Sequence, residues 1–366
     1  MGRRVLMLLA DEYRPDPRVR KEALALLEDG REVIIISWDR GHNHPESSET
    51  EGIQLECVRT GRIGGAGSMA LNYPRFLLRS LARSRNLEFD VVHAHDLDTL
   101  LLGRLISRFM DVPLVYDAHE HYAAMVADDV PIAAARLFDI LEARWVRGVD
   151  LLVTASTGIE EYLHPHLRHS STVVMNCIEL PDAPVAHGDR TEVTVFYSGS
   201  LERTRYVGKV AKAVMAMEGC RFKLAGDGPL RPDIEEMADR DSRIVFLGYL
   251  SHDELLASMS DADIVICLMD PSNENNRIGM PNKLFESMAL GIPVLVSEGT
   301  LSAEVALEEE CGIAIAWSEE AFRTAVDRVR DPLVRREMGE NGRRAAMERY
   351  NWGIMKRRLM EAYRSL

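Results

Sequence analysis

The feature of this 366-residue sequence that most constrains its fold is a rhythm that occurs twice: short, near-continuous apolar runs separated by stretches with helical spacing. In the first half the runs are VLMLLA (5–10), VIIIS (33–37), IQLECV (53–58), DVVHAH (90–95), PLVYDA (113–118), DLLVTA (150–155) and TVVMN (172–176). Strands that are apolar throughout are buried on both faces, and strands divided by helices run parallel, so the pattern predicts an α/β domain on an open parallel sheet. The polar segment PDAPVAHGDR (181–190) interrupts the rhythm as a linker. It restarts with EVTVFYSGS, RFKLAGDG, RIVFLGYL, ADIVICLMD and IPVLVSE, and from Ala321 to Leu366 the spacing is helical. The expectation is two doubly wound domains, 1–182 and 190–345, and a helical stretch 346–366. In such sheets ligands bind beyond the carboxyl ends of the strands, and two facing domains form one cleft.

Composition narrows the function. A net charge of −14 with 46% hydrophobic residues describes a globular chain and speaks against sequence-general nucleic-acid binding. Five cysteines without a CxxC pair suggest neither a disulfide framework nor a zinc knuckle, and fit a reducing compartment. The apolar stretch after MGRR ends at Asp11, too short for a signal-peptide core, and no run nears the roughly 18 residues of a membrane span. A cytoplasmic chain whose only membrane contact is peripheral is therefore expected.

The second half carries the more informative constellation. In GMPNKLFESMALG (279–291), Pro281 suits a first helical turn and Gly291 a stop, which sets a short helix with a phosphate-ready amino end after strand DIVICLMD. Asn282, Lys283 and Glu286 fall along one face, offering a cation to phosphate and a carboxylate to sugar hydroxyls. The bland alternative is a surface Lys–Glu pair on an ordinary capped helix. YSGSLERTR (197–205), LAGDGPL (224–230) and FLGYLSHDEL (246–255) each repeat a strand, a glycine turn and a polar or helical continuation.

In that order, and together with VVHAHDLDTLLLGRL (92–105), PLVYDAHEHY (113–122) and above all PNKLFESMALGIPVLVS (281–297), the sequence resembles the retaining glycosyltransferases of family 4 over nearly its whole length. The resemblance implies the GT-B fold, with two Rossmann-like domains facing across a cleft and a carboxyl-terminal helix returning to the first. It implies transfer of a sugar from a UDP- or GDP-sugar to a hydroxyl acceptor in glycan, glycolipid or polysaccharide synthesis. The donor is then held mainly by the second domain and the acceptor by the first, with no obligatory metal or cofactor. By position, Glu286 matches the glutamate on the donor ribose, and Arg203 or Arg205, with Lys209, the cations on the diphosphate. Gly199 lets the backbone approach, Gly226 and Gly228 lie in the donor loop, Tyr249 and Leu250 contact the base, and Asn282, Lys283 and Leu284 meet the donor at the helix start. His119 matches the active-site histidine near the reacting sugar and, with Glu286, is expected to carry catalysis. Two departures stand out: Ile278 replaces a frequent glutamate and Ser200 the usual arginine after the first glycine. A sugar-nucleotide epimerase or hydrolase, or a non-catalytic binder, are the alternatives.

In the first half, His93 and His95 alternate at a strand end and share one face of the sheet, followed by Asp96, Asp98, His119, Glu120 and His121. An HxH metal site is the sharp alternative to ordered strand ends, and no metal is the expectation. Asp16 and Pro17 look like the cap and first residue of a helix, and Asp11, Arg14, Arg18 and His95 are acceptor candidates. Arginines 59, 62, 75, 79, 83 and 85 occur without an intervening acid, and Arg75, Arg79 and Arg83 recur at helical spacing. That stripe suits an anionic membrane or lipid-linked acceptor, or else a solvated face.

Overall fold

The computed structural model describes residues 4–13, 17–61, 66–127, 130–181 and 192–366. The chain divides into two compact units: residues 1–175 with 355–366, and residues 176–354.

In the first unit, chain order is β1 (Arg4–Leu9), α1 (Pro17–Glu28), β2 (Glu32–Asp39), β3 (Ser47–Thr50), β4 (Ile53–Arg59), α2 (Ala66–Ser84), β5 (Val91–His95), α3 (Leu97–Met110), β6 (Leu114–Ala118), α4 (Tyr122–Met125), α5 (Ile132–Val146), β7 (Leu151–Thr154), α6 (Thr157–Leu163) and β8 (Ser170–Val173). The sheet order is β3-β4-β2-β1-β5-β6-β7-β8, parallel except for β3 against β4. The centre is apolar because both faces are covered: Val5–Leu8 are fully buried and all five residues of β5 are buried, its two histidines included. The edge strand β3 has no apolar pattern to reveal it, since its SSET sequence lies mostly exposed within what the sequence presents as a polar loop.

The second unit contains β9 (Val193–Ser198), α7 (Val207–Met215), β10 (Cys220–Ala225), α8 (Arg231–Arg240), β11 (Ile244–Phe246), α9 (His252–Met259), β12 (Ile264–Cys267), α10 (Glu274–Ile278), α11 (Asn282–Leu290), β13 (Val294–Ser297), α12 (Leu301–Glu308), β14 (Gly312–Ile315), α13 (Glu319–Val329) and α14 (Pro332–Glu348). Its sheet, β11-β10-β9-β12-β13-β14, is wholly parallel. In both sheets the first strand is central and the order reverses beside it, which defines a switch point at the carboxyl end of β1 and of β9. β14 escapes the apolar rhythm because its GIAI run is short and opens on glycine. A Cβ on Gly312 would lie 2.4 Å from the Val294 carbonyl oxygen, so only glycine lets this edge strand pair.

The last helix, α15 (Trp352–Tyr363), joins the first unit from Met355 onward. It meets the carboxyl end of α1 and the turn that follows: Lys356 pairs with Glu28, Arg364 with Asp29 at 3.7 Å, and Arg31 sits 5.2 Å over the Tyr363 ring. All five cysteines are buried as free thiols.

Candidate functional site

At the strand ends of the first unit a buried network of charged and polar side chains assembles around Asp117, the fourth residue of β6. Arg18, on the second residue of α1, donates to both Asp117 oxygens, at 2.9 and 2.6 Å, and to the Val174 carbonyl at 2.6 Å. His95 Nδ1 and His119 Nε2 lie 3.2 and 2.9 Å from Asp117 Oδ2. Burial would raise the Asp117 pKa, but Arg18, His119 and His95 outweigh it and hold the carboxylate well below its usual range. His119 shows the reverse balance. Burial disfavours its charge, yet Asp96 Oδ2 at 3.1 Å from Nδ1 and Asp117 on Nε2 keep it an imidazolium well above the ordinary value.

Asp96 takes an unusual backbone to do this. It caps α3 at φ 60°, ψ 167°, a region that disfavours a side chain, and it makes no capping bond to its own helix. Its carboxylate instead accepts from the His119 backbone N–H at 3.0 Å while meeting the ring. Strain of about 1–3 kcal/mol at such a residue marks a position fixed for function. Two residues on, burial and the Asp96 charge push Asp98 up to about 7.

Behind this layer, His93 stacks on His95 with centroids 4.3 Å apart and hydrogen-bonds through Nδ1 to the Tyr363 hydroxyl of α15 at 2.7 Å. Its pKa is driven well down by burial and by His95. Glu22 faces it, with Oε2 3.8 Å from His93 Nε2, and is pushed up to about 8 by burial and Asp117. Ligand atoms of Glu22, His93, His95 and Asp117 lie within 4.8 Å of one another, so the metal alternative takes a different shape from the one expected, with Glu22 in it and His119 outside. Arg18 already places a cation against both carboxylates, 3.2 Å from Glu22 and bidentate on Asp117.

The second unit gathers its polar groups differently. Gly199, at φ 132°, follows β9, and a Cβ there would stand 3.4 Å from Lys283 Nζ and 3.5 Å from the Tyr197 hydroxyl. Gly226 is more tightly constrained, because its Cβ would fall 1.9 Å from the Gly199 carbonyl oxygen. The loops after β9, β10 and β11 thus stack backbone on backbone, with Gly199 N donating to Ala225 O and Gly226 N to Gly248 O. No side chain caps α11, whose N-cap is Pro281 rather than a residue inside the first turn; the Leu284 N–H donates to the Pro281 carbonyl at 3.0 Å, and the Asn282 and Lys283 amides before it have no side-chain cap. Lys283 is buried, lies 4.1 Å over the Tyr197 ring, and is lowered to about 8 chiefly by desolvation. Glu286 is also buried, with His252 Nδ1 3.8 Å from its carboxylate. This is not the surface Lys–Glu pair of the bland reading.

Of the two arginine candidates, Arg205 approaches Met269 Sδ at 3.6 Å and acts electrostatically on Lys283, whereas Arg203 is exposed on the same short turn. Lys209 is exposed and lies 4.1 Å over the Tyr206 ring. Tyr249 is 84% exposed beside half-buried Leu250, Asn282 is exposed, and Leu284 is a core residue whose backbone alone is at the helix start. Ile278 ends α10.

Several first-unit expectations are corrected. Arg18 and His95 are buried and held by Asp117, so they order the network instead of facing an acceptor. Asp11 is exposed and 3.6 Å from Arg40, while Arg14 and Asp16 lie outside the described residues. On α2, Arg83 pairs with Glu56 at 2.8 Å and leaves the stripe; Arg79 donates to the Arg59 carbonyl and Arg75 to Asn72, and both remain exposed. Asp117, Glu22 and His252 were missed, and Asp96 was named only as part of the cluster that follows His93 and His95. The strand-end position of Asp117 and Asp96 was a usable signal; Glu22 and His252 read as ordinary helix polars.

Two family models match in series: "Glycosyl transferase 4-like domain" over residues 15–177 and "Glycosyl transferases group 1" over residues 192–331. A glycogen synthase from Mycobacterium tuberculosis is 26% identical, over 95% of this chain and 91% of its own. Among solved structures, sucrose-phosphate synthase from Thermosynechococcus elongatus superposes with a TM-score of 0.82 at 17% identity, covering 99% of both chains. HepE from Anabaena, solved with UDP-glucose, gives 0.74 at 15% identity over 99% of this chain and 100% of its own. Two Rossmann-like parallel-sheet domains with these matches define the GT-B fold. The chain belongs to the family 4 glycosyltransferases and is a glycosyltransferase enzyme.

Proposed function

We propose that the enzyme transfers a sugar from a nucleotide-diphosphate sugar to a hydroxyl acceptor with retention of anomeric configuration, the second unit holding the donor and the first the acceptor. The observation that carries this reading is the convergence at one spot of the second unit. An uncapped helix start, the buried Lys283 with Arg205 near it, and the bare backbone of Gly199 together supply positive charge and close approach. A diphosphate is the complementary ligand. Glu286, four residues into the same helix, offers its carboxylate to ribose hydroxyls.

In transfer, the bond from the anomeric carbon to the diphosphate oxygen breaks with its electron pair leaving on the diphosphate. The acceptor oxygen bonds the anomeric carbon on the same face, and its proton passes to the departing diphosphate. Lys283, Arg205 and the α11 amides stabilise the charge as it builds. On the first unit, the part-exposed Asp96 carboxylate, oriented by His119, accepts a hydrogen bond from a substrate hydroxyl. No metal is needed for this chemistry, and chelator is expected to leave turnover unchanged. The HepE complex supports UDP as the first nucleotide to try.

Incubation with labelled UDP- and GDP-sugars and a panel of saccharide and lipid-linked alcohols tests the reading. A glycosylated acceptor whose anomeric configuration matches the donor supports it; an inverted product, or an isomerised donor without transfer, contradicts it.

A further inference from the structure

Helices α2, α3 and α5 lie side by side on one face of the first sheet, each returning between parallel strands and so running in the same direction, with α2 against α3 and α3 against α5. Their outer surface is apolar to an unusual degree. Leu71 and Leu78 on α2 are each 68% exposed, Phe109 on α3 62%, and Ile132 and Ile140 on α5 72% and 64%. Such side chains recur on all three helices, which makes a patch and not scattered exceptions.

The charges on that surface are mostly basic. Arg75, Arg79, Arg108, Arg136 and Arg144 are exposed, and among the described residues none is ion-paired to a carboxylate. Among the described residues the acids there are few: Glu142 is buried, Asp98 is half-buried, Asp139 turns toward His121 and Tyr162 with its side chain part-exposed, and Asp111 stands exposed where α3 ends. This holds in a chain whose net charge is −14. Arg85 extends the basic character, 5.6 Å over the Phe109 ring. A second copy seated on the same face would set arginine against arginine. A bilayer carrying anionic headgroups satisfies both features at once, taking the apolar side chains below the headgroups and pairing the arginines with phosphate.

We propose that the outer face of α2, α3 and α5 docks on anionic lipid bilayers. Arg83 is not part of it, because Glu56 already holds that guanidinium. The surface goes beyond the transfer chemistry. It rests on that reading only for its purpose, which is to bring the acceptor-binding unit to a membrane-borne alcohol.

The test is co-sedimentation of the full chain with phosphatidylcholine vesicles, with and without phosphatidylglycerol, in the absence of sugar nucleotide, so that docking and transfer fail separately. Binding is expected only with phosphatidylglycerol and is weakened by salt. Each of Arg75→Gln, Arg79→Gln and Arg136→Gln should weaken it about fivefold. The combined Leu78→Ser, Phe109→Ser and Ile140→Ser variant should lose binding further, while Arg83→Gln matches the wild type. All these positions but Arg83 are exposed, and an unchanged melting temperature confirms that each variant folds. The proposal is overturned if the wild type ignores phosphatidylglycerol vesicles at low salt, or if the serine variant binds as tightly as the wild type. It is also overturned if sedimentation velocity shows a vesicle-indifferent dimer that the serine variant dissociates.

Discussion

In the first unit, Asp117 holds Arg18, His95 and His119, and His119 holds Asp96, so that the charges of the strand-end network are answered by one another inside the protein. In the second unit, Lys283 rests on an aromatic ring, and Arg203 and Lys209 are exposed; among the described residues none of the three has a salt-bridge partner. α11 begins without a side-chain cap. The two constellations use similar residue types for opposite ends. Charges that find partners within the fold set geometry, and charges left without one make a binding site for a ligand that carries the missing sign. The distinction tells which substitutions should unfold the protein and which should only disarm it.

The largest effect is expected on stability, in the first unit. Asp117→Asn takes away the carboxylate that Arg18 and His119 share, leaving Arg18 the carboxylate of Glu22 and His119 that of Asp96, and breaking a buried pair in this way costs about 3–5 kcal/mol. Urea denaturation should show that loss, and a variant as stable as the wild type would mean that the network is not holding the strand ends. Lys283→Met should do the reverse. It removes a desolvated cation, so stability should hold or rise, while the lost charge on the leaving diphosphate lowers kcat by about two to three orders of magnitude. Equal loss of stability and turnover would erase the contrast between the units.

A subtler effect concerns pH. Glu22 faces Asp117, His93 and Tyr363, with Arg18 beside it on α1, and its folded pKa lies near 8. The folded state therefore keeps a proton that the unfolded chain releases near its ordinary value of about 4.3. Stability contributed below that value is lost as pH rises toward 8. Glu22→Gln should remove that part of the decline, so the variant should gain on the wild type as pH is raised across this window. Parallel stability–pH curves for the two proteins would show that Glu22 is ionised in the fold.

The same contrast explains what could be read from sequence. Continuous apolar runs exposed the buried parallel strands, and the glycine-bearing strand ends with the segment around Pro281 located the second-unit constellation. The polar edge strand β3 and the glycine-led β14 carry no such pattern. Charge pairing was less visible, because it joins residues far apart in the chain. Arg18 meets Asp117 across 99 positions and Tyr363 meets His93 across 270. For that reason Arg18 and His95 looked available to a substrate when the fold had already engaged them, and Arg83 looked like part of a surface stripe when Glu56 held it.

The central claim, that the second unit presents positive charge awaiting a diphosphate, is tested most directly by thermal unfolding of the full chain with UDP, GDP and ADP and with their monophosphates. Binding to the folded state alone stabilises by about 2.7 kcal/mol at a hundredfold excess over Kd. One nucleoside diphosphate should raise the melting temperature well above the shift given by its monophosphate, and the rise should vanish in Lys283→Met and shrink in Glu286→Ala. Absence of a shift with all three diphosphates, or a shift that survives Lys283→Met intact, would contradict the account.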